Sequence, residues 1–187
     1  TPSEDCMKEN AKSFAEYARL CQANDIVPIV EPEVLFDGNH TIEQCFEVTA
    51  KNLKIVFDEL KTVGVFIPGM ILKTGMVLSG KDNPNRATPE QIAEMTVQCL
   101  KENVLAEIGG IVFLSGGQGA DESTKNLNAM HKMGPLPWPL TFSYGRAIQN
   151  SALKSWAKNP TDITGAQALL VERAKANSLA SIGKYEI

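Results

Sequence analysis

Short, almost uniformly apolar runs recur four times in this chain, each set off from the next by a helical stripe, and no other feature narrows the fold as much. The runs are residues 26–30, 65–72, 111–115 and 140–143, with Pro68-Gly69 marking an irregularity in the second. A run that is apolar at successive positions fits a strand of a parallel sheet, covered on both faces. Between the runs the apolar spacing changes. Met7, Ala11, Phe14, Ala18 and Cys21 form the stripe of an amphipathic helix. Thr41-Ile42-Glu43-Gln44 is a capping-box pattern opening a second helix, whose apolar face runs Ile42, Cys45, Phe46, Thr49, Leu53, Val56, Phe57 and Leu60. Thr88-Pro89-Glu90-Gln91 places a cap, a first-turn proline and a reciprocal Gln, predicting a helix to about residue 107. Further helices are expected over 121–132, 145–157 and 161–182.

Strand–helix alternation with short connections means βα units and a parallel sheet. A closed (β/α)₈ barrel needs eight strands and typically ~250 residues, whereas 187 residues here supply four strands. The chain is therefore a small open α/β domain or half a barrel. Composition excludes more than it assigns. A net charge of −4 gives no electrostatic footprint for a nucleic acid partner. No run approaches the ~18 apolar residues of a membrane span. Cys6, Cys21, Cys45 and Cys99 lie on helical stretches without a C-x-x-C pair or a His cluster. Buried, reduced thiols fit better than a metal site or disulfides, and a cytoplasmic location follows. The chain opens Thr-Pro-Ser without a methionine, which suggests a piece of a longer polypeptide.

Ligands of parallel α/β folds bind at the carboxyl ends of the strands. Those ends read Glu31-Pro32-Glu33, then Lys73, then Ser115-Gly116-Gly117, then Ser143-Tyr144-Gly145-Arg146. Each places polar, chemically useful groups directly after an apolar run. A free lysine titrates near about 10.4 and is a poor nucleophile at neutral pH. Desolvation or a neighbouring cation makes a Schiff-base lysine possible; on Lys73 alone, a side chain reaching out to solvent is the simpler reading. Glu31 and Glu33, two apart in an extended segment, can point to one side. There one could pass a proton to a departing hydroxyl while the other restrains the amine. In isolation they also fit a solvated acidic loop. Ser115, Gly116 and Gly117 leave backbone N–H groups open to an anion. Ser143, Gly145 and Arg146 do the same at a helix start, where the dipole favours phosphate and a guanidinium can fork onto its oxygens. His40 and His131 lack partners at ligand spacing, Lys81 and Asp82 sit in a polar loop, and Trp138 between two prolines reads as packing.

Taken together, residues 27–33 (VPIVEPE), Leu72-Lys73 with Met76-Val77, residues 113–117 (FLSGG) and residues 140–147 (LTFSYGRA) resemble class I fructose-1,6-bisphosphate aldolase. Asn126-Leu127-Asn128-Ala129 and Gly183-Lys184-Tyr185 fit as well. The likeness runs in order over essentially the whole chain. It implies barrel strands 5 to 8 plus the closing helices, with residues 1–187 as the C-terminal half of one barrel domain. It also implies Lys73 as Schiff-base nucleophile, Glu31 as general acid/base and Glu33 as the carboxylate beside the lysine. Ser115, Gly116, Gly117, Ser143, Gly145 and Arg146 correspond to the phosphate-binding segments.

Three departures accompany the likeness. The family usually reads Lys-Pro-Asn-Met at the nucleophile, where this chain has Lys73-Thr74-Gly75-Met76. The family's first four strands, with an aspartate and two lysines of the pocket, have no counterpart, and neither does its C-terminal tail; Tyr185 precedes that tail. The implied activity is reversible cleavage of fructose 1,6-bisphosphate into dihydroxyacetone phosphate and glyceraldehyde 3-phosphate, without a metal or cofactor. The implied partners are a sugar-phosphate substrate, the N-terminal half of the barrel as preceding residues or a companion chain, and further copies in a homotetramer. A non-catalytic binding scaffold of the same fold, and a Schiff-base aldolase for another sugar phosphate, are the alternatives.

Overall fold

The structure is a computed structural model describing residues 2–186. Its elements are α1 (Glu4–Gln22), β1 (Ile29–Val30), α2 (Ile42–Thr62), a 3₁₀ turn (Ile67–Gly69), β2 (Ile71–Thr74), α3 (Pro89–Asn103), β3 (Gly110–Phe113), α4 (Ala120–Lys132), β4 (Leu140–Phe142), α5 (Arg146–Lys158) and α6 (Ile163–Ala180). The four strands are parallel and lie side by side in chain order. The helices form a layer in which α1 touches α2, α2 touches α3, α3 touches α4, and α6 packs on both α4 and α5. Successive parallel strands with helical crossovers are what the alternating pattern predicts.

Local chemistry accounts for the helix starts. Thr41 and Thr88 both accept from the backbone N–H three residues on, at 3.3 and 3.4 Å, and Gln44 and Gln91 reach back to the cap N–H at 2.8 and 2.9 Å. Pro89 occupies the first turn of α3, where a missing N–H costs nothing. α3 ends at Asn103, short of the expected 107, because Val104 turns extended (φ −113°, ψ 134°) and Asn103 Nδ2 bonds back to the Cys99 carbonyl. In α1 the buried stripe is Met7, Ala11, Ala15 and Ala18, with Phe14 half-buried against the same core. Small alanines let α1 lie close to α2.

Alternation along the strands divides the sheet into two unlike faces. Val30, Leu72, Thr74, Ile111, Phe113 and Leu140 are buried and join one continuous apolar core with the helices, Thr74 apart. The opposite face carries Ile29, Ile71, Lys73, Val112 and Thr141, none of them buried. This corrects the expectation of strands covered on both sides, most clearly at β1. Ile26, Val27 and Ile29 are 57%, 59% and 45% exposed, and β1 shrinks to two residues, since only β2 pairs with it. The Pro68-Gly69 irregularity is the 3₁₀ turn, after which β2 starts at Ile71.

Two of the cysteines also depart from expectation: Cys45 and Cys99 are buried, but Cys6 is exposed and Cys21 half-buried. His131, without partners at ligand spacing in the sequence, sits half-buried at the end of α4 with Nε2 2.9 Å from the Leu140 carbonyl, tying α4 to β4. Burial pushes the ring below the ordinary imidazole pKa of about 6.5, and the carbonyl contact only partly opposes this. The unfolded chain therefore takes up a proton first as pH drops, so this contribution to stability is complete above about 6.5 and shrinks toward the lower folded value. His131→Gln should flatten the dependence of the urea midpoint on pH between about 7.5 and 5.5; an unchanged slope would refute the assignment.

Candidate active site

Register alone brings the first two groups together. Ile29 pairs with Ile71 and Val30 with Leu72, so the next step along the two strands sets Glu31 beside Lys73. Both lie on the face that the helices leave open. Glu31 Oε1 accepts from Lys73 Nζ at 2.8 Å, with the lysine side chain 21% and the glutamate 47% exposed. On the other flank Lys73 pairs with Val112 of β3. The amine is thus held between a carboxylate and an apolar neighbour, and is not free in solvent.

Ser115, Gly116 and Gly117 follow β3 directly. Gly116 and Gly117 have φ of +59° and +101°, backbone that side-chain-bearing residues rarely adopt. A Cβ on Gly116 would meet Leu114 at 3.1 Å and Glu33 Oε1 at 3.9 Å; one on Gly117 would meet Phe36 at 3.5 Å. The turn is therefore pressed against the loop that follows β1. The carboxylate in contact with the lysine is Glu31, and Glu33 Oε1 lies 3.9 Å from where a Cβ on Gly116 would stand.

The fourth strand end is anchored from below. Ser143 donates its backbone N–H to the Phe113 carbonyl at 2.8 Å, and Ser143 itself is exposed. Tyr144 is buried and its hydroxyl donates to the Ser123 carbonyl of α4 at 3.1 Å; burial raises its pKa far above the ordinary phenol. Gly145 caps α5, its carbonyl accepting from Ile148 and Gln149, and exposed Arg146 is the first helical residue. A helix start with an adjacent guanidinium suits an anion. Lys81 holds the Asp37 carboxyl below the usual carboxylate range through an ion pair, and the Arg146 charge adds a smaller pull in the same direction.

That loop and the one after β2 are zipped together. Gly80, Lys81 and Asp82 donate backbone N–H groups to the carbonyls of His40, Phe36 and Gly38, each at 2.9 Å. A Cβ on Gly80 would lie 2.3 Å from the Gly38 oxygen, so only glycine fits. Lys81 and Asp82 are exposed, as the polar loop predicts, while their backbone N–H groups tie it to the loop after β1. Asp37 and Arg86 on these loops, and Glu122 on α4, are singled out by no motif; Asp37 pairs with Lys81 and Arg86 with Glu122. Their signal lies in three-dimensional proximity of segments 36 to 44 residues apart. Among the described residues no three His, Cys, Asp or Glu side chains cluster as metal ligands, and no helix is long and apolar enough to cross a membrane.

Comparison with known proteins decides the lineage. Residues 1–187 match the family described as "Glycolytic: Fructose-bisphosphate aldolase class-I". The chain belongs to the class I fructose-bisphosphate aldolase family. A Xanthomonas campestris relative named probable fructose-bisphosphate aldolase class 1 is 52% identical over 186 residues, which is 99% of this chain and 56% of its own length. The cytosolic fructose-bisphosphate aldolase 5 of Arabidopsis thaliana is 51% identical over 185 residues, 98% of this chain and 51% of that one. A solved structure of the Plasmodium falciparum aldolase, in complex with TRAP and a small-molecule inhibitor, aligns with a TM-score of 0.96 at 45% identity, covering 100% of this chain and 54% of that chain. The chain spans about half the length of the relatives it matches. Its parallel βα units cover the C-terminal half of the aldolase TIM barrel.

The glycine turn yields a prediction of its own. Gly117→Ala forces a side chain into φ near +101° and should cost about 1–3 kcal/mol. A urea titration of the complete barrel protein reads the loss, and unchanged stability would show that the turn relaxes freely.

Proposed function

We propose that this chain is the catalytic C-terminal half of a (β/α)₈ barrel that cleaves fructose 1,6-bisphosphate reversibly into dihydroxyacetone phosphate and glyceraldehyde 3-phosphate. The observation that carries the reading is the Lys73–Glu31 contact of 2.8 Å at the carboxyl ends of adjacent strands, next to a glycine turn suited to phosphate. In this reading Ser115, Gly116, Gly117, Ser143, Gly145 and Arg146 hold a substrate phosphate and so fix the ketone carbon near Nζ.

Lys73, as the free amine, attacks the C2 carbonyl and forms a C–N bond, with the carbonyl oxygen becoming a hydroxyl. Glu31 gives that hydroxyl a proton, and it leaves as water while the nitrogen lone pair closes to an iminium. The C3–C4 bond then breaks. Its electron pair moves into the iminium to give an enamine, and loss of the C4 hydroxyl proton releases the aldehyde. The enamine is protonated at C3, and water hydrolyses the imine to free dihydroxyacetone phosphate and the lysine. The iminium is the electron sink for the breaking bond, which is why the amine must first be condensed with the ketone. Glu33, whose carboxylate approaches Gly116, is the second acid of the site and, as the resemblance implies, restrains the amine. A cytoplasmic setting accords with the name of the Arabidopsis relative, and a homotetramer is the assembly that the family resemblance implies.

Borohydride reduction of the complete barrel with dihydroxyacetone phosphate present should leave a three-carbon adduct on the peptide carrying Lys73. Lys73→Met should abolish trapping and lower kcat by on the order of 10³-fold or more. Glu31→Gln should slow turnover by about 10²–10⁴-fold with trapping retained but slow. An adduct on another lysine, or none, would overturn the mechanism. Trapping without cleavage of fructose 1,6-bisphosphate would point instead to a different sugar phosphate or to a binding scaffold.

The half-barrel assignment has a separate test. Residues 1–187 alone leave Ile26, Val27 and Ile29 exposed beside an unpaired strand edge, a surface that promotes association. Expressed alone, the chain should sediment above its monomer mass; a monomer with a cooperative unfolding transition would refute the assignment.

A further inference from the structure

The turn at 115–117 leads straight into α4, whose first residues lack a capping side chain because the cap is Gly119. Glu122 fills that role from inside the helix: its Oε2 accepts from the Gly119 N–H at 3.1 Å. This stabilises the helix start but places a carboxylate five residues beyond the anion turn. Left alone, that charge would oppose the field of the helix N-terminus and repel an incoming phosphate. The other oxygen, Oε1, is taken by Arg86 Nη2.

Arg86 does more than pair. It stands on the loop between β2 and α3, and its guanidinium carbon lies 4.8 Å from the centre of the Phe36 ring. Phe36, on the loop after β1, is the residue against which Gly117 rests, at 3.5 Å from a Cβ position. One guanidinium therefore pairs with Glu122 of α4 and lies over the Phe36 ring of the loop after β1. Both side chains of the pair are only about one-third exposed, at 35% for Arg86 and 33% for Glu122. A partly desolvated pair of this kind is screened less by salt than one in open solvent.

We propose that Arg86 is a positioning residue for the phosphate turn: it neutralises Glu122 and wedges Phe36 under Gly117, so that residues 115–117 meet an anion with their N–H groups unopposed. The role deepens the aldolase reading given above and rests on it. Arg86 touches no reacting atom in this scheme. Its effect falls on substrate affinity more than on the bond-breaking steps, which belong to Lys73 and Glu31.

The experiment measures the concentration of dihydroxyacetone phosphate that half-saturates borohydride trapping at Lys73, in the complete barrel protein, with circular dichroism as the folding check. Arg86→Met should raise that concentration by about tenfold, the expected size for one uncompensated charge at this range, and raise KM for fructose 1,6-bisphosphate while kcat changes less than threefold. Arg86→Lys keeps the charge without the flat stack and should recover part of the loss. Glu122→Gln keeps an acceptor for Gly119 but leaves Arg86 unopposed, so it should lower the half-saturating concentration, where a purely structural role would raise it. If Arg86→Met does not fold, the Lys and Gln variants decide the matter by the same signs. Normal trapping by the unsubstituted protein with unshifted half-saturation in the variants overturns this proposal alone; absence of any adduct in the unsubstituted protein overturns the aldolase reading instead.

Discussion

Two adjacent parallel strands, β1 and β2, are in a register that sets residue 31 opposite residue 73, and the rest of the site is arranged around that pairing. A shift of one residue would turn the Glu31 carboxylate to the helix side and leave the amine facing an apolar residue. Burial of Val30 and Leu72 on the helix side opposes such a slip, because every core-facing side chain of β1 would move with it. Apolar packing on one face of the sheet therefore fixes polar geometry on the other. The Lys73–Glu31 pair needs no dedicated scaffold beyond the alternation of the strands.

A second, quieter constraint lies behind the sheet. α6 buries Arg173, Asn177 and Ala180 and little else, so polar bonding anchors it where an apolar stripe would be expected. Arg173 donates to Asp121 at 2.6 Å, and to the Ala120 carbonyl and Thr124 Oγ1 at 2.5 Å each, while the Thr124 hydroxyl donates to Asn177 at 2.9 Å. All three acceptors of Arg173 belong to the first turns of α4. The same helix start is thus gripped by Arg173 through Asp121 on one side and by Arg86 through Glu122 on the other. Breaking the buried half would strand an arginine in a dry setting, which is costly.

Much of this was readable from residue patterns, for identifiable reasons. Thr41 and Thr88 act through hydrogen bonds three residues away, so short words in the sequence carry them whole. Lys73, the Glu31–Glu33 pair and the glycine turn stood out because each follows an apolar run directly, and the parallel fold puts strand ends on one side. The extent of β1 was misjudged because edge position depends on which strands are present, a property no local window contains. Arg86, Glu122 and Asp37 escaped notice for a related reason. Charged residues in polar loops look alike until folding brings one loop over another. Arg173 was hidden by its helix, where a lone arginine reads as surface.

The brevity of β1 has a consequence for assembly. Glu31 hangs on a strand of two residues that is hydrogen-bonded on one flank only, so its aim depends on whatever abuts the free flank. In a closed ring that neighbour would clamp the acid against the amine; in a ring that failed to close, the acid would drift. Correct circular closure and the aim of the Glu31 carboxylate would then share one checkpoint.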